Sequence, residues 1–537
     1  MNIANSVLPR AMHGLFLALT ACAAACSHVA LVPSPVEAAP AISCAQLASV
    51  ALPSSPSSAF TVLNAQIIVA GPLPAGTPAT TNPPMRRAEA LPAYCKVKAR
   101  ISPAINFELW LPQAGWNGRF QQIGVHRFGG ELDYADMAWQ LAQGYAVASS
   151  DTGHAGQAAL PWMQNPQQVV DYGSRAVHET AMKAQALTAA FYGRPAQYAY
   201  FNGCSTGGKE ALMEAQRYPS DFQGIAVGDP NFDQIGNRAQ YIWNAQATFM
   251  NEATRITPAQ LRLVHAKVLE ACDRLDGVAD GVIGDPRQCH FRPESLACQA
   301  GQAPGECLTP AQAGAVTKIY EGPSDPLTGQ RIYAGWALGS ELEWASIIAG
   351  PNVFPTAEQF FRNMVFRDAA WDWRRFDFDK DWKFAVANFG PLVNADDPDL
   401  RALEQAGGKL LHYHGWGDVN HAPMQSVRYY DDVVATLGRS TPQGQAGDRV
   451  ARFYRLFMIP GSSGCGSAGP HPDQFDPMDA LRSWVEDKKA PEQIVVRAPA
   501  QPQRTRMLCP YPQVAVYSGR GDVFNEINFS CVNQPKN

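Results

Sequence analysis

The stretch Tyr198-Ala-Tyr-Phe-Asn-Gly-Cys-Ser-Thr-Gly-Gly-Lys-Glu-Ala-Leu-Met-Glu-Ala-Gln-Arg217 decides the fold of this chain. A short apolar strand, Tyr198–Phe201, leads into Gly203-Cys204-Ser205-Thr206-Gly207-Gly208, and a helical run follows. In this context the G-x-S-x-G pattern predicts a sharp turn that lifts the Ser205 hydroxyl out of a sheet. The next helix then points backbone N–H groups at a developing oxyanion. We therefore predict that Ser205 is a nucleophile; a Gly/Ser turn without chemistry is the alternative.

On both sides of this turn, short apolar strands alternate with helices, which favours a mostly parallel sheet covered by helices. The predicted strands are Phe107–Leu111, Arg119–Ile123, Tyr145–Ser149, Tyr198–Phe201, Gly224–Gly228, Lys409–Tyr413 and Arg452–Ile459. The predicted helices include Val177–Tyr192, Met424–Leu437 and Leu481–Asp487. Between about Asn231 and Asp399 the alternation is replaced by helical stretches, four cysteines and the aromatic run Trp371–Phe378. We interpret this segment as an inserted domain.

Length and charge limit the class of protein. A chain of 537 residues is too long for one compact unit. The net charge is −5 and no Lys/Arg block stands out, so no nucleic-acid partner is expected. The predicted layout is a signal peptide and tether at 1–39, core residues at 40–230, an inserted lid at 231–405 and further core residues at 406–537.

The N-terminus is typical of an exported protein. Arg10 precedes the apolar run Leu15–Leu19 and then small residues, which is the order of a signal peptide. Leu19-Thr20-Ala21-Cys22 resembles a bacterial lipobox, in which the cysteine becomes a lipid anchor. Ordinary cleavage near Ala38-Ala39 is the alternative. The mature protein is expected to be secreted, periplasmic or an outer-membrane lipoprotein.

Ten cysteines remain after the leader. An even count in an exported protein predicts a disulfide framework. Zinc is disfavoured because no C-x-x-C pair occurs. The ten are Cys44, Cys95, Cys204, Cys272, Cys289, Cys298, Cys307, Cys465, Cys509 and Cys531.

The other members of a catalytic triad would follow Ser205 in the order acid, then histidine. Asp418 is the candidate acid because it lies in the turn after the strand Lys409–Tyr413, at the carboxyl edge of the sheet where ligands bind. Helix capping is its alternative role. His421 is expected to be badly placed because it is three residues away in the same loop. His471 is therefore the candidate general base by elimination, with a solvated loop histidine as the alternative.

Several further motifs accompany these residues. They are Ser150-Asp-Thr-Gly-His154, Arg175-Ala-Val-His-Glu179, Tyr218-Pro-Ser-Asp-Phe-Gln-Gly-Ile225, Asp276-Gly-Val-Ala-Asp-Gly-Val-Ile283, Gly415-Trp-Gly-Asp418, Asp473-Gln-Phe-Asp476 and Leu508-Cys-Pro-Tyr-Pro-Gln513. The chain resembles the tannase/feruloyl esterase family, which includes mono(2-hydroxyethyl) terephthalate hydrolase. The resemblance lies in the order of these motifs and in the cysteine pattern. The resemblance implies an α/β fold, namely a disulfide-rich α/β-hydrolase core with a large inserted lid. It also implies the pairings Cys44–Cys95, Cys204–Cys465, Cys272–Cys289, Cys298–Cys307 and Cys509–Cys531.

The predicted lid contains a segment, residues 273–282, that is typical of a calcium loop. Its three carboxylates stand at short spacing with glycines between them. The resemblance implies a structural calcium ion, and no organic cofactor is expected. The implied ligands are Asp273, Asp276, Asp280 and the backbone carbonyls of Val278 and Val282. An acidic turn stapled by Cys272–Cys289 is the alternative.

Two departures from the family pattern concern catalysis. The family has a histidine directly before the second elbow-linked cysteine, where this chain has Gly464. In the glycine-rich oxyanion loop, Gly124-Val-His-Arg-Phe-Gly-Gly130, His126 and Arg127 replace two small residues. The imidazole would then have to come from His471, or from His126 in an unusual chain order.

We therefore predict a serine carboxylic ester hydrolase that acts through an acyl-enzyme on a small aromatic ester of the phenolic acid, feruloyl or galloyl type. Ser205 attacks, His471 transfers the proton and Asp418 orients the histidine. The N–H groups of Thr206 and Gly124 hold the oxyanion. The alternative is a catalytically impaired member that binds aromatic esters or acids at the cell surface, because Gly464 occupies the expected histidine position.

Overall fold

A mixed β-sheet of nine strands organises this chain. The computed structural model describes residues 39–52, 58–77, 88–156, 161–303, 305–348, 350, 352–442, 444–465 and 471–533. The predicted signal peptide, apart from residue 39, and the predicted lipid anchor at Cys22 lie outside the described residues.

The sheet has an antiparallel part and a parallel part. Its strands are β1 (Phe60–Ile68), β2 (Tyr94–Ile101), β3 (Ile105–Pro112), β4 (Arg119–Ile123), β5 (Ala146–Ser150), β6 (Tyr198–Cys204), β7 (Gly224–Gly228), β8 (Lys409–Gly415) and β9 (Tyr454–Ile459). They are ordered β1-β2-β3-β5-β4-β6-β7-β8-β9. The pairs from β1 to β5 are antiparallel, and those from β5 through β4 to β9 are parallel. The parallel strands therefore end at one common edge.

Helices cover the sheet and build the insertion. They are α1 (Tyr134–Ala142), α2 (Pro166–Val170), α3 (Ala176–Tyr192), α4 (Thr206–Arg217), α5 (Gln234–Phe249), α6 (Pro258–Cys272), α7 (Pro310–Glu321), α8 (Ala345–Ile348), α9 (Pro355–Gln359), α10 (Lys380–Val393), α11 (Arg401–Ala406), α12 (Met424–Gly438), α13 (Ala446–Ala451) and α14 (Pro477–Glu486). Among the described residues, no helix is both long and apolar enough to cross a membrane.

Local sequence signals fix where the insertion's helices begin. Thr257 and Thr309 each accept a hydrogen bond from the N–H of a glutamine three residues later, and a proline occupies the first position of each helix. Asp233 caps α5 by accepting from the N–H of Gly236. These short-range contacts define helices in a segment where the strand–helix alternation is absent.

The insertion lies between β7 and β8 and contains α5 to α11. It has its own hydrophobic core, which includes Val264, Trp344 and Phe361. Phe128 and Val419, from loops at the carboxyl edge of the sheet, belong to the same core. The lid therefore packs directly on the loops that carry the candidate site. The described residues between 39 and 533 form one compact unit, whereas the chain length alone had predicted more than one.

Five disulfides staple this fold, and they confirm the pairings that the resemblance implied. They are Cys44–Cys95, Cys204–Cys465, Cys272–Cys289, Cys298–Cys307 and Cys509–Cys531. Two of them lie within the lid, and one connects the chain beside Ser205 to the loop after β9.

The α/β class predicted from the sequence is confirmed, and the strands expected at Arg119–Ile123 and Gly224–Gly228 coincide with β4 and β7. The sequence did not predict the antiparallel strands β1 and β2, or two C-terminal hairpins. The hairpin strands are β10 (Ile494–Ala498), β11 (Gln501–Leu508), β12 (Gln513–Tyr517) and β13 (Phe529–Asn533). The edge strand β1 and the hairpin β12–β13 are only partly buried, and no helix alternates with them, so the strand–helix pattern that marked the parallel strands does not apply to them.

Candidate active site

Ser205 lies at a strained turn between β6 and α4. Its backbone has φ of 60° and ψ of −116°, a conformation that a residue with a side chain rarely adopts. The Ser205 N–H donates to the Gly228 carbonyl at 3.0 Å, and the Asn231 N–H donates to the Ser205 carbonyl at 3.0 Å. The turn is therefore held on both sides by the strand-end loop after β7, as a nucleophile elbow requires.

Three glycines let the backbone pack closely behind this serine. A Cβ placed on Gly124 would lie 2.6 Å from the Cα of Gly207 and 3.2 Å from that of Gly203. A Cβ on Gly203 would lie 2.3 Å from the Gly207 carbonyl oxygen. The glycines of the motif thus allow the loop after β4 to contact the elbow directly.

Asp418 is buried in the loop after β8. Its Oδ1 accepts the N–H groups of Asn420 at 2.8 Å and His421 at 3.2 Å. Its Oδ2 faces two imidazoles, with His421 Nδ1 at 3.1 Å and His414 Nε2 at 3.4 Å. Burial raises the pKa of Asp418, but the charges and hydrogen bonds of His421 and His414 outweigh burial and lower it to about 2.

The interpretation that His421 is badly placed for Asp418 is wrong. Asp418 accepts the backbone N–H of His421, and this contact folds the loop so that the imidazole returns to the same carboxylate. A spacing of three residues is therefore sufficient. The signal that could have identified His421 is the Asp-x-x-His sequence in a turn, because an aspartate readily accepts N–H groups from the residues that follow it.

His471 lies in a different environment. The charged groups that act on it are Asp280, Asp273, Arg504 and Arg506, which belong to the predicted calcium loop and to β11. Burial lowers the pKa of His471. No hydrogen bond joins His471 to Asp418 within the described residues, so the structure does not bring this predicted pair together. The elimination that led to His471 rested on the wrong assumption about His421.

Gly464 lies directly against Asp418. A Cβ on Gly464 would lie 3.0 Å from the Asp418 Cγ and 3.0 Å from its Oδ2, and the Gly464 φ is 98°. The position that the family fills with histidine therefore does face the candidate acid. In this chain it holds a glycine in a left-handed conformation, which L side chains rarely adopt.

Asp229 connects these elements from the end of β7. Its Oδ1 accepts the N–H of Gly415 at 2.8 Å, and its Oδ2 accepts the N–H of Cys465 at 2.8 Å. Oδ2 also lies 3.5 Å from the Sγ of Cys204. The carboxylate thus holds the end of β8 and the Cys465 end of the Cys204–Cys465 bridge beside the elbow. Sequence analysis missed Asp229, although its position directly after a buried strand marks the ligand-binding edge.

The predicted oxyanion donors differ in their availability. Thr206 begins α4, where backbone N–H groups have no partner within the helix. The N–H of Gly124 instead donates to the Asn202 carbonyl at 2.9 Å, and the N–H of Val125 donates to Glu210 Oε2 at 3.0 Å. The prediction that the Gly124 N–H holds the oxyanion is therefore wrong, because that group continues the pairing of β4 with β6.

The other imidazole considered from the sequence, that of His126, pairs with Asp133. Its Nε2 lies 3.1 Å from Asp133 Oδ2. Burial lowers the pKa of His126, but Asp133 and neighbouring carboxylates outweigh burial and raise it above its ordinary value. The raised pKa favours the protonated ring, and the Nε2 already pairs with Asp133, so His126 does not suit a general base.

The predicted calcium loop presents oxygen atoms around two turns. Asp273 accepts the N–H of Gly281, Asp276 accepts that of Val278, and Asp280 accepts that of Val282. Gly277 and Gly281 have φ of 91° and 81°, which turn the backbone between the carboxylates. These carboxylates and the nearby carbonyls are hard donors that fit calcium chemically.

Arg506 also contacts this loop. Its Nη2 lies 2.5 Å from Asp280 Oδ2 and 3.9 Å from Asp276 Oδ2, so one protein cation already offsets part of the negative charge.

A parallel sheet, a serine at the turn between β6 and α4 and an acid after β8 define an α/β hydrolase. The sequence profile described as "Tannase and feruloyl esterase" matches residues 88–532. The chain is 35% identical over 542 aligned residues to an uncharacterized esterase of Xanthomonas campestris pv. campestris, covering 92% of each chain. It is 31% identical over 458 residues to a probable feruloyl esterase B-1 of Aspergillus terreus, covering 81% of this chain and 85% of the relative.

Solved structures agree with these sequence relatives. Feruloyl esterase B from Aspergillus oryzae superposes with a TM-score of 0.81 at 29% identity, covering 91% of this chain and all of the other. Tannin acyl hydrolase from Aspergillus niger has a TM-score of 0.77 at 19% identity over 92% of this chain and 95% of its own, which shows the shared fold. The protein therefore belongs to the tannase and feruloyl esterase family, and it is a carboxylic ester hydrolase.

Proposed function

We propose that the protein is a serine esterase whose triad is Ser205, Asp418 and His421. The observation that carries this proposal is the 3.1 Å contact between His421 Nδ1 and Asp418 Oδ2, which orients an imidazole without the histidine usual before Cys465. The chain order is then Ser, Asp, His, as in other α/β hydrolases. His421 takes the role that sequence analysis gave to His471.

The chemistry follows from these positions. Ser205 Oγ attacks the ester carbonyl carbon while its proton passes to His421 Nε2, and the Nδ1–H stays hydrogen-bonded to Asp418. The tetrahedral intermediate then expels the alcohol, which takes the proton from His421 and leaves an acyl-enzyme. Water repeats the sequence and releases the acid. Ser205 Oγ has no hydrogen-bond partner among the described residues, and catalytic hydrogen bonds often form only when substrate is bound.

The oxyanion would be held by the N–H of Thr206 together with a donor from the loop 126–130. Thr206 supports this arrangement because its hydroxyl donates to the Arg127 carbonyl and ties the loop to the start of α4. Because the Gly124 and Val125 N–H groups are engaged, we expect the second donor to lie beyond Val125.

The substrate we propose is a small aromatic ester of the feruloyl or galloyl type. The support comes from relatives whose names include feruloyl esterase. The aromatic residues of the lid do not add support for an aromatic substrate. Trp373 and Phe376 are buried in the lid core, and Phe361 packs against Phe376 with ring centres 4.7 Å apart.

We further propose a structural calcium ion in the lid and export from the cytoplasm. Asp273, Asp276 and Asp280 would hold the ion together with the carbonyls of Val278 and Val282. Five disulfides support an oxidising compartment, because such bonds are rare in the cytosol.

The test compares the wild type with Ser205→Ala, His421→Ala and His471→Ala on methyl ferulate, methyl gallate and p-nitrophenyl acetate. We expect kcat of the first two variants to fall about 10³-fold or more. His471→Ala is the matched control and should stay within about threefold, since it lies outside the triad. A full loss in His471→Ala with an active His421→Ala would contradict the proposal. Equal, near-zero rates in the wild type and Ser205→Ala would instead support the catalytically impaired binding protein.

A further inference from the structure

A chain of hydrogen bonds runs from Asp418 into the interior of the protein. His414 Nδ1 lies 2.7 Å from Ser426 Oγ, which lies 2.9 Å from His412 Nε2. His412 Nδ1 in turn lies 2.8 Å from the hydroxyl of Tyr454. All four side chains are fully buried, on β8, α12 and β9.

The Nε2 of His414 lies close only to hydrogen-bond acceptors. Its Nε2 lies 3.0 Å from the His421 carbonyl oxygen, 3.4 Å from Asp418 Oδ2 and 3.9 Å from Asp229 Oδ1. A carbonyl and two carboxylates cannot donate, so this nitrogen must carry a proton. The single N–H therefore points at the backbone of the proposed base and at the acid that orients it.

The same ring faces two buried carboxylates. Asp229 and Asp418 are both almost completely inaccessible, and among the described residues their ion-pair partners are His414 and His421. Buried carboxylates are costly without a partner cation. Burial lowers the pKa of His414, but Asp418 and Asp229 outweigh burial and raise it above its ordinary value.

We propose that His414 is a positioning residue for ester hydrolysis. It holds the Asp418 carboxylate and the His421 carbonyl in one arrangement through the proton on its Nε2, which also faces Asp229. Asp229 also accepts the Cys465 N–H, so these contacts extend to the loop that carries Gly464. This inference rests on the proposed triad of Ser205, Asp418 and His421.

The remaining groups around His414 are compatible with a charged ring. Burial lowers the pKa of His412 well below its ordinary value, so His412 is neutral. A neutral His412 can accept the Ser426 hydroxyl proton at Nε2 and donate its Nδ1–H to Tyr454. Ser426 can then accept the Nδ1–H of a doubly protonated His414.

The test compares His414→Gln and His414→Leu with His412→Gln in kcat, KM and pH profile on p-nitrophenyl acetate. His412 is the matched control because it is equally buried on the same strand and does not contact Asp418, and the glutamine that replaces it keeps an amide oxygen that can accept the Ser426 proton. We expect His414→Gln to lower kcat about 10- to 100-fold with KM within about twofold, because one hydrogen bond to a charged group is lost. The acid limb of kcat/KM should move to higher pH, because the hydrogen bond from His414 that helps to lower the pKa of Asp418 is lost. His414→Leu should lower kcat further, and His412→Gln should keep the kcat and pH profile of the wild type.

The outcomes separate this inference from the proposed function. If His421→Ala abolishes activity but the His414 and His412 variants give the same kcat and pH profile, His414 has no positioning role and the triad stands. If His421→Ala is fully active, the triad fails and the inference fails with it.

If the His414 variants do not fold, nitrogen-15 NMR spectra of the wild type test whether His414 carries the required proton. A protonated, exchange-protected Nε2 on His414 supports the proposal, and an unprotonated Nε2 overturns it.

Discussion

His421 Nδ1 lies 3.1 Å from the Oδ2 of Asp418, three residues earlier in the same loop. The acid and the imidazole thus come from one turn after β8, whereas the usual family position for the histidine, beside Cys465, holds Gly464. The Cys204–Cys465 disulfide and Asp229 still connect that loop to Ser205. In the proposed triad the scaffold around the site is therefore retained, while the imidazole comes from a different place in the chain.

Restoring a histidine at position 464 should lower activity rather than raise it. In Gly464→His the new Cβ would lie 3.0 Å from the Asp418 Cγ, and a left-handed φ costs a residue with a side chain about 1–2 kcal/mol. The variant would displace Asp418 from His421. Gly464→Ala is the control, because it carries the same steric change without an imidazole, and kcat on p-nitrophenyl acetate should fall in both. A strong rise in Gly464→His alone would show that the native chain lacks a competent base.

Asp418 should make stability depend on pH in the acid range. Its pKa is about 2 in the folded protein against 3.8 when unperturbed, so its contribution is present above pH 3.8 and is lost as pH falls towards 2. The shift corresponds to about 2 kcal/mol of unfolding free energy. Urea unfolding between pH 5 and 2.5 measures the loss of unfolding free energy, and Asp418→Asn is the comparison. The variant should lose less stability than the wild type over this range; parallel curves would contradict the assignment.

Removal of the bridge beside the nucleophile should affect catalysis as well as stability. We expect Cys204→Ala/Cys465→Ala to lower kcat about tenfold or more, because a small displacement of the triad is costly. The loop it closes spans 261 residues, and stability should fall by about 2–5 kcal/mol. Cys298→Ala/Cys307→Ala is the control. It removes a disulfide within the lid that joins cysteines nine residues apart, far along the chain from Ser205. Equal kcat in both double variants would show that the bridge does not hold the triad.

Calcium should stabilise the lid. We expect EDTA to lower the melting temperature of the wild type and added calcium, but not magnesium, to restore it, because bound ion stabilises only the folded state. Asp276→Asn/Asp280→Asn should melt at the same temperature with and without EDTA. The fluorescence of bound terbium offers a second measure of the site. If the melting temperature of the wild type does not respond to EDTA, no structural calcium is held by these residues.

Ser205 and Asp418 were predicted from the sequence as candidate nucleophile and acid because each lies in a short contiguous pattern, a glycine-flanked turn after a strand and an acidic turn after another. The lid was predicted where strand–helix alternation stops, and its predicted limits, residues 231 and 405, lie after β7 and within α11. The cysteine pairs followed from the family resemblance. All of these depend on local sequence or on a pattern shared by the whole chain.

The tertiary structure alone decided which histidine meets Asp418, which N–H groups are already used, and that Asp229 and His414 lie beside the acid. The choice between His421 and His471 depends on the path of two loops in space, and chain order does not contain that path. The N–H of Gly124 is engaged because β4 pairs with β6, which are separated by 74 residues between Ile123 and Tyr198. Side chains from distant segments come together only when the sheet forms, so the sequence predicted the candidate nucleophile and acid, and packing determined which imidazole lies beside that acid.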